Sequence, residues 1–329
     1  MPPGLKRETM STFKNNVSES GGKIGRNPVH RLDLDVLRRL QIDATGIYER
    51  VSKIAKTRNP KKERQAAWLK HAVSMIDLTT LEGSDTPHRV RRLCQKALRP
   101  LADFPEIQVA AVCVYGNFVS EAKRALKGSA VKVAAVSTAF PHGQVALPLK
   151  IQETKALVAS GADEIDMVIN RGAFLRGDYS RVYDEIAMVR EACGEAHLKV
   201  ILETGELGEI QHVWTASEIA MQAGADFIKT STGKIGVSAT LPVSLVMLNA
   251  IEDFYLRTGH RIGHKPAGGI RQAKEALHWL ALVKETVGDH WLTPELFRFG
   301  ASSLLDDIAR QLHHIKTGQY ESYDYIPKG

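Results

Sequence analysis

The sequence predicts a (β/α)8 barrel of the TIM type, an α/β fold, carrying an N-terminal basic helical extension. After about residue 62, short β-branched runs alternate with stretches of helical period, and the starts of those runs recur every 23 to 35 residues. Eight such runs fit within about 250 residues, which is the size and order of this barrel, whereas an open doubly wound sheet more often stops at five or six strands. The dinucleotide fingerprint G-x-G-x-x-G is absent after the first run. A Walker A loop is absent too, because Ile228 stands where its first glycine would precede Gly233 and Lys234.

Residues 1–27 are rich in Ser, Asn, Gly and Lys, show no apolar period and read as a disordered basic arm. Residues 28–65 read as a helical extension of one or two amphipathic helices capping the barrel or a partner. Leu34, Leu37, Leu40, Ile47, Val51 and Ile54 recur there at three- to four-residue steps. The barrel proper spans 66–318, with strands expected over 74–81, 108–115, 131–140, 164–170, 198–203, 227–232, 261–265 and 296–299. Helix-period stretches lie between them at 148–160, 179–192, 216–223, 242–257, 272–287 and 303–315. Residues 319–329 form a polar tail carrying Tyr320, Tyr323 and Tyr325, which reads as floppy, the alternative being a tail that folds back over the site.

Composition narrows the function classes. With 43% hydrophobic and 25% charged residues the chain has the balance of a globular enzyme. Its formal charge of +7 is concentrated in residues 1–65, which hold 15 Lys and Arg against 7 Asp and Glu. The nearly neutral remainder argues against a nucleic-acid groove across the barrel, and the basic segment reads as a solvated extension. Cys94, Cys113 and Cys193 are far apart and contain no C-x-x-C pair, so they suggest neither a disulfide framework nor zinc. No apolar segment resembles a signal peptide or a membrane span, so a cytoplasmic protein is expected. The sequon from Asn16 to Ser18 is then coincidental. Twelve histidines include His313 and His314 but no H-E-x-x-H, so no metal is expected and no cofactor is demanded.

Barrel active sites sit where strands end and the following loops begin, so charged residues at those ends are the candidates. Lys229 lies in FIKTST, a run otherwise suited to burial. Burial disfavours the ammonium form, and the neutral amine is the species that attacks a carbonyl. Lys265, ending RIGHK before PAGG, is a second cation that would depress the first further. Asp166 in EIDMVIN shares one strand face with Val168 and Asn170, opposite Ile165, Met167 and Ile169, and could relay protons beside the lysines. Asp77 and Glu203, at the ends of the first and fifth strands, are supporting carboxylates that orient the lysines.

A phosphate cradle is expected from the loops after strands seven and eight. Gly268 and Gly269 expose backbone N–H groups, Ser302 and Ser303 open the last helix, and Gly233 with Lys234 completes the set. Each motif alone also has a plainer reading, as turn glycines with a serine cap. Arriving together at the expected strands, they point to a phosphorylated substrate.

These segments, VCVYGNFV, GADEIDMVINRGAF, KVILETGEL, GADFIKTSTGK, KPAGGIR and FGASSLLDD, resemble the deoxyribose-phosphate aldolase family over roughly residues 66–318. WLTPELFRFGASSLLDDIARQ is similar to its longer, eukaryote-like branch. The resemblance implies a class I aldolase without metal or organic cofactor. Lys229 would be the Schiff-base lysine, Lys265 the lysine that tunes it and Asp166 the relay carboxylate, with phosphate contacts from Gly233, Lys234, Gly268, Gly269, Ser302 and Ser303. The implied reaction is reversible cleavage of 2-deoxy-D-ribose 5-phosphate into acetaldehyde and D-glyceraldehyde 3-phosphate, so the partners are small phosphorylated sugars and aldehydes; a homodimer is compatible with it. Two residues depart from the pattern: His264, where an apolar residue is expected, and Arg171, where a small or apolar one is usual. The rival readings are a transaldolase-like or isomerase barrel, and a non-enzymatic barrel scaffold with a binding arm.

Overall fold

The computed structural model describes residues 24–319 apart from Leu40 and Asn59, so most of the expected arm and the tyrosine tail lie outside the described residues. Eight short strands carry the architecture: β1 (Ile76–Thr79), β2 (Ala111–Val114), β3 (Lys132–Val136), β4 (Glu164–Val168), β5 (His197–Ile201), β6 (Phe227–Lys229), β7 (Gly263–Lys265) and β8 (Phe299–Ala301). All neighbouring pairs are parallel, in the order β7-β6-β5-β4-β3-β2-β1-β8. Bridges from His264 to Phe297 and from Ala267 to Gly300 close the ring between β7 and β8. The predicted barrel is therefore the fold.

The last strand starts at Phe299 rather than at 296. Residues 296–298 still bond across the seam, because the His264 amide donates to Leu296 O at 2.9 Å and the Arg298 amide to His264 O at 3.1 Å. They continue the ring without forming a regular ladder.

The helices that wrap the ring have local start signals. Between β1 and β2, α4 (Pro87–Leu98) begins where the Thr86 side chain accepts from the Arg89 amide and Pro87 occupies the first turn. It buries Val90, Leu93, Cys94 and Ala97 on one face. After β6, α10 (Leu241–Thr258) is capped by Thr240 and ends on the left-handed Gly259. After β7, α11 (Ala273–Thr286) starts in a reciprocal capping box between Gln272 and Glu275. Two further helices of the ring, α8 (Tyr179–Ala192) and α9 (Ile210–Gln222), follow β4 and β5, and α12 (Leu304–Thr317) follows β8. The main apolar core is the annulus between strands and helices, where Ile165, Met167 and Ile169 sit as the alternation of β4 predicts.

The N-terminal extension contains α1 (Leu34–Arg39) and α2 (Ala44–Thr57), and α3 (Lys62–Ser74) leads into β1. The boundary expected at 65/66 thus falls inside a helix. Helix α2 packs on α10 and α11, and α3 on α11 and α12, so the extension covers this barrel. Residues 26–33 are also held, contrary to a disordered arm reaching residue 27. Asn27 is buried, its amide donating to Asp226 Oδ1 at 2.9 Å and its Nδ2 to Met221 O at 2.7 Å and Ala225 O at 3.0 Å. The His30 amide donates to Gln222 O at 2.7 Å.

The three cysteines are buried at different places: Cys94 on α4, Cys193 at the end of α8, and Cys113 on β2, inside the barrel. Burial pushes the Cys94 thiol up to about 11 and the Cys193 thiol up to about 12. Among the described residues no helix is long and apolar enough to cross a membrane.

Candidate active site

The barrel axis is charged on one side and apolar on the other. Strands β2 and β3 contribute Cys113, Ala134 and Val136, which pack with Leu81 and are flanked by Tyr115 and Phe140. Strands β1, β4, β5, β6 and β7, with Arg298 just before β8, contribute Asp77, Glu164, Asp166, Lys199, Lys229 and Lys265. Register brings these together, since Asp166 pairs with Lys199 across β4 and β5, and Lys229 with Lys265 across β6 and β7. On the floor of this charged half lies the Phe227 ring, with the Lys199 Nζ 6.0 Å and the Arg298 guanidinium 5.7 Å from its centroid. The ring fits because its neighbour in register is Gly263, where a Cβ would collide with it.

Asp166 is the hub of the network. Its Oδ2 accepts from Lys229 Nζ at 2.7 Å and from Lys265 Nζ at 2.7 Å, and its Oδ1 accepts from Lys199 Nζ at 3.1 Å. Lys265 also donates to Asp77 Oδ2 at 2.5 Å. Lys199 reaches Glu164 through a short hydrogen bond and lies 3.4 Å from Asp77. Below them Arg298 holds Glu164 through both terminal nitrogens, at 2.8 and 3.2 Å, and Asp77 Oδ1 at 2.6 Å. Lys229 is 3% exposed while Asp77, Asp166, Lys199 and Lys265 are at 0%, so of these five only Lys229 meets the mouth.

The lysines are not equivalent. Burial pulls the Lys229 amine below its ordinary value, with Lys265 adding to the pull against the attraction of Asp166. Burial opposes the charge on Lys265 as well, but Asp166 and Asp77 more than offset it and hold that amine above its ordinary value. Lys199 is likewise held up by Asp166, Glu164 and Asp77 against desolvation. Asp166 is fully buried, yet Lys199, Lys229 and Lys265 hold its carboxyl well below the usual range. The arrangement provides one reachable amine biased toward the neutral, nucleophilic form beside permanently charged neighbours.

Around the mouth, Gly233 and Gly268 lie back to back with left-handed φ of 76° and 81°, and a Cβ on Gly268 would come 2.6 Å from Ser238 Oγ. Gly269 follows, also left-handed. Ser302 and Ser303 are exposed at the start of α12, Ser303 being its N-cap residue. Lys234 lies on the same rim, its Nζ 3.0 Å from Glu82 Oε1. The structure thus brings β6, β7 and β8 loop residues to one end of the barrel, where backbone N–H groups and hydroxyls can receive an anion.

Glu203 does other work than expected, and Arg171 and His264, the two departures from the family pattern, each have a structural partner. Glu203 orients no lysine: its carboxylate accepts from the Thr232 amide at 3.1 Å and Thr232 Oγ1 at 2.5 Å, and lies 3.4 Å from Arg171. Its left-handed backbone, φ 56°, ends the alternation of β5 and turns the side chain toward β6's loop. Arg171 is buried and also donates to the carbonyls of Pro141 and His142 at 3.2 and 3.1 Å, tying the β3 and β4 loops together. His264 faces outward to Ser244 Oγ at 2.9 Å, and burial pulls its imidazole down to about 3, so it is neutral. Lys199, Arg298, Glu164 and Ser238 escaped the sequence reading. The signal for Lys199 was its period-2 spacing with Ile201 in an apolar strand, and for Arg298 its place between two phenylalanines in FRFG.

With this geometry in view, comparison with known proteins is specific. Residues 71–309 match the DeoC/LacD family of aldolases. The chain is 52% identical over 307 residues to the deoxyribose-phosphate aldolases of Mus musculus and Homo sapiens, covering 90% of this chain and 96% of each relative. A solved structure from Coccidioides immitis, described as a candidate deoxyribose-phosphate aldolase, superposes with a TM-score of 0.63 at 27% identity, covering 82% of this chain and 98% of that one.

Proposed function

This chain belongs to the DeoC/LacD family of aldolases, and from that premise we propose that it cleaves 2-deoxy-D-ribose 5-phosphate reversibly into acetaldehyde and D-glyceraldehyde 3-phosphate through an imine on Lys229. One observation carries the residue assignment. Of three lysines joined to Asp166, the one at the mouth is pulled toward the neutral amine while the other two are held charged. Lys229 Nζ attacks C1 of the open-chain sugar, and loss of water leaves an iminium. The C3 hydroxyl gives up its proton, the C2–C3 bond breaks, and its electron pair flows into the iminium to form an enamine as glyceraldehyde phosphate departs. Protonation at C2 and hydrolysis then release acetaldehyde and restore the amine.

Asp166, linked to Lys229 and Lys265 by 2.7 Å hydrogen bonds, relays these protons through a water, and Lys265 keeps a positive charge beside the reacting nitrogen. Asp77 fixes Lys265. Gly233, Lys234, Gly268, Gly269, Ser302 and Ser303 bind the substrate phosphate at the rim, remote from the reacting carbons. A transaldolase-like or isomerase barrel and a bare scaffold are disfavoured by the family and by the trio of buried lysines.

The test is mass spectrometry after incubation with acetaldehyde and borohydride. An ethyl group mapped to Lys229 is the expected result. Label on Lys265 would exchange the lysine roles, and absence of label would remove the imine mechanism.

A further inference from the structure

The charged half of the barrel has an arithmetic that the reaction alone does not explain. Among the described residues, four cations (Lys199, Lys229, Lys265, Arg298) share three carboxylates (Asp77, Glu164, Asp166) in a fully buried cluster. A buried ion is tolerated when it is matched, so a fourth charge in this cluster would be uncompensated. Arginine is the member that cannot release its proton. Other titratable groups near Lys229 do not alter the count. Cys113 on β2 is pushed up by burial and is neutral, Glu203 beyond β5 is held outside the cluster by Thr232 and by Arg171, which it shares with the half-exposed Glu206, and His264 on β7 is neutral and faces Ser244.

We infer that Arg298 and Glu164, which lie on the barrel floor below the reacting groups, set the protonation state of Lys229. Arg298, Lys265 and Lys199 match the three carboxylates, and the remaining cation position at the mouth holds a neutral amine. Glu164 is the counterweight: it takes two hydrogen bonds from Arg298 and one from Lys199, and so offsets positive charge that would otherwise push Lys229 still further toward the neutral amine. Both are positioning residues, acting on the nucleophile through the field of the cluster rather than by touching substrate.

The inference rests on Lys229 as the imine former, and its signature is a pair of opposite shifts. The rate of ethylation of Lys229 by acetaldehyde and cyanoborohydride is followed by peptide mass across about pH 5 to 9, spanning the range in which a depressed lysine titrates. R298Q removes a fixed cation, so Lys229 must supply it. The midpoint of the acid limb should move alkaline by about one pH unit, an approximately tenfold loss of free amine below it. E164Q removes an anion and should move the midpoint the other way. The E164Q/R298Q protein, balanced again, and R298K should both return close to the native midpoint. A purely structural role would lower rates without opposite shifts. Should R298Q not fold, the acid shift of E164Q and its reversal in the double variant carry the test. Midpoints that stay put, or that move together, with label still on Lys229, overturn the charge balance alone. Label elsewhere in the native protein overturns the imine assignment and this inference with it.

Discussion

The barrel's charged interior and its phosphate rim are built on opposite plans. Inside, long side chains are buried and each carboxylate is bound by two or three cations, so position is fixed by mutual pairing. On the rim, the proposed anion contacts come from glycines, from exposed serines and from Lys234, so what matters is backbone left open beside hydroxyls and a cation that solvent can reach. The contrast shows a division between chemistry, which needs a dry and preorganised field, and recognition, which needs access. Substitutions should therefore act through stability and protonation inside, and through substrate affinity at the rim.

The sharpest separation is Lys229→Ala, expected to abolish imine trapping and lower turnover on the order of 10⁴-fold or more while leaving the fold in place, measured as kcat with a melting curve alongside. If turnover survived, the interior would lose its claim to the chemistry. Next in size is Asp77→Ala. It strands Lys265 and Arg298 without a shared acceptor and should cost about 3–5 kcal/mol, read as the denaturant midpoint. The same plan fixes the acid response. Asp77, Glu164 and Asp166 are all held below the ordinary carboxyl range, so the unfolded chain takes up protons before the folded one does. Their contribution should be complete above about pH 5 and decline as pH falls below about 4, and a midpoint flat from neutral to strongly acid pH would contradict it.

At the rim, replacing Ser302 and Ser303 together by Ala should raise KM for the phosphorylated donor roughly tenfold to a hundredfold and leave free deoxyribose almost untouched. Equal losses on both donors would erase the distinction between the two regions. The smallest effect on catalysis is expected from Asn27→Ala, outside both. Losing its bonds to Met221 O and Ala225 O should lower stability by about 1–3 kcal/mol without changing kcat/KM.

The sequence made the ring and half of the interior readable, for a physical reason. A lysine or aspartate inside a β-branched run violates the pattern of a buried strand, and Lys229, Lys265, Asp166 and Asp77 all do so. Lys199 and Glu164 were hidden because, near a strand's start, a charge reads as a solvated end. Arg298 was hidden because it precedes the C-terminal end of its strand, the end at which barrel candidates are sought, although its place between Phe297 and Phe299 breaks the apolar run. None of the three can be assigned without knowing which strands face one another across the axis, which closure of the ring decides. Glu203 fails in the opposite way: simple alternation from Lys199 through Ile201 would turn it inward, but its left-handed φ of 56° breaks the period. Ser238 becomes visible only when the loop after β6 folds against Gly268.

The burial of all three cysteines gives the molecule a built-in record of its own disassembly. A thiol reagent can modify Cys94 or Cys193 once the helix that hides it loosens, whereas Cys113 becomes reachable only when the ring of strands itself parts. Alkylation rates at the three sites, read in one denaturant series, would therefore order the peeling of the outer helices against the rupture of the barrel, with no label engineered into the chain.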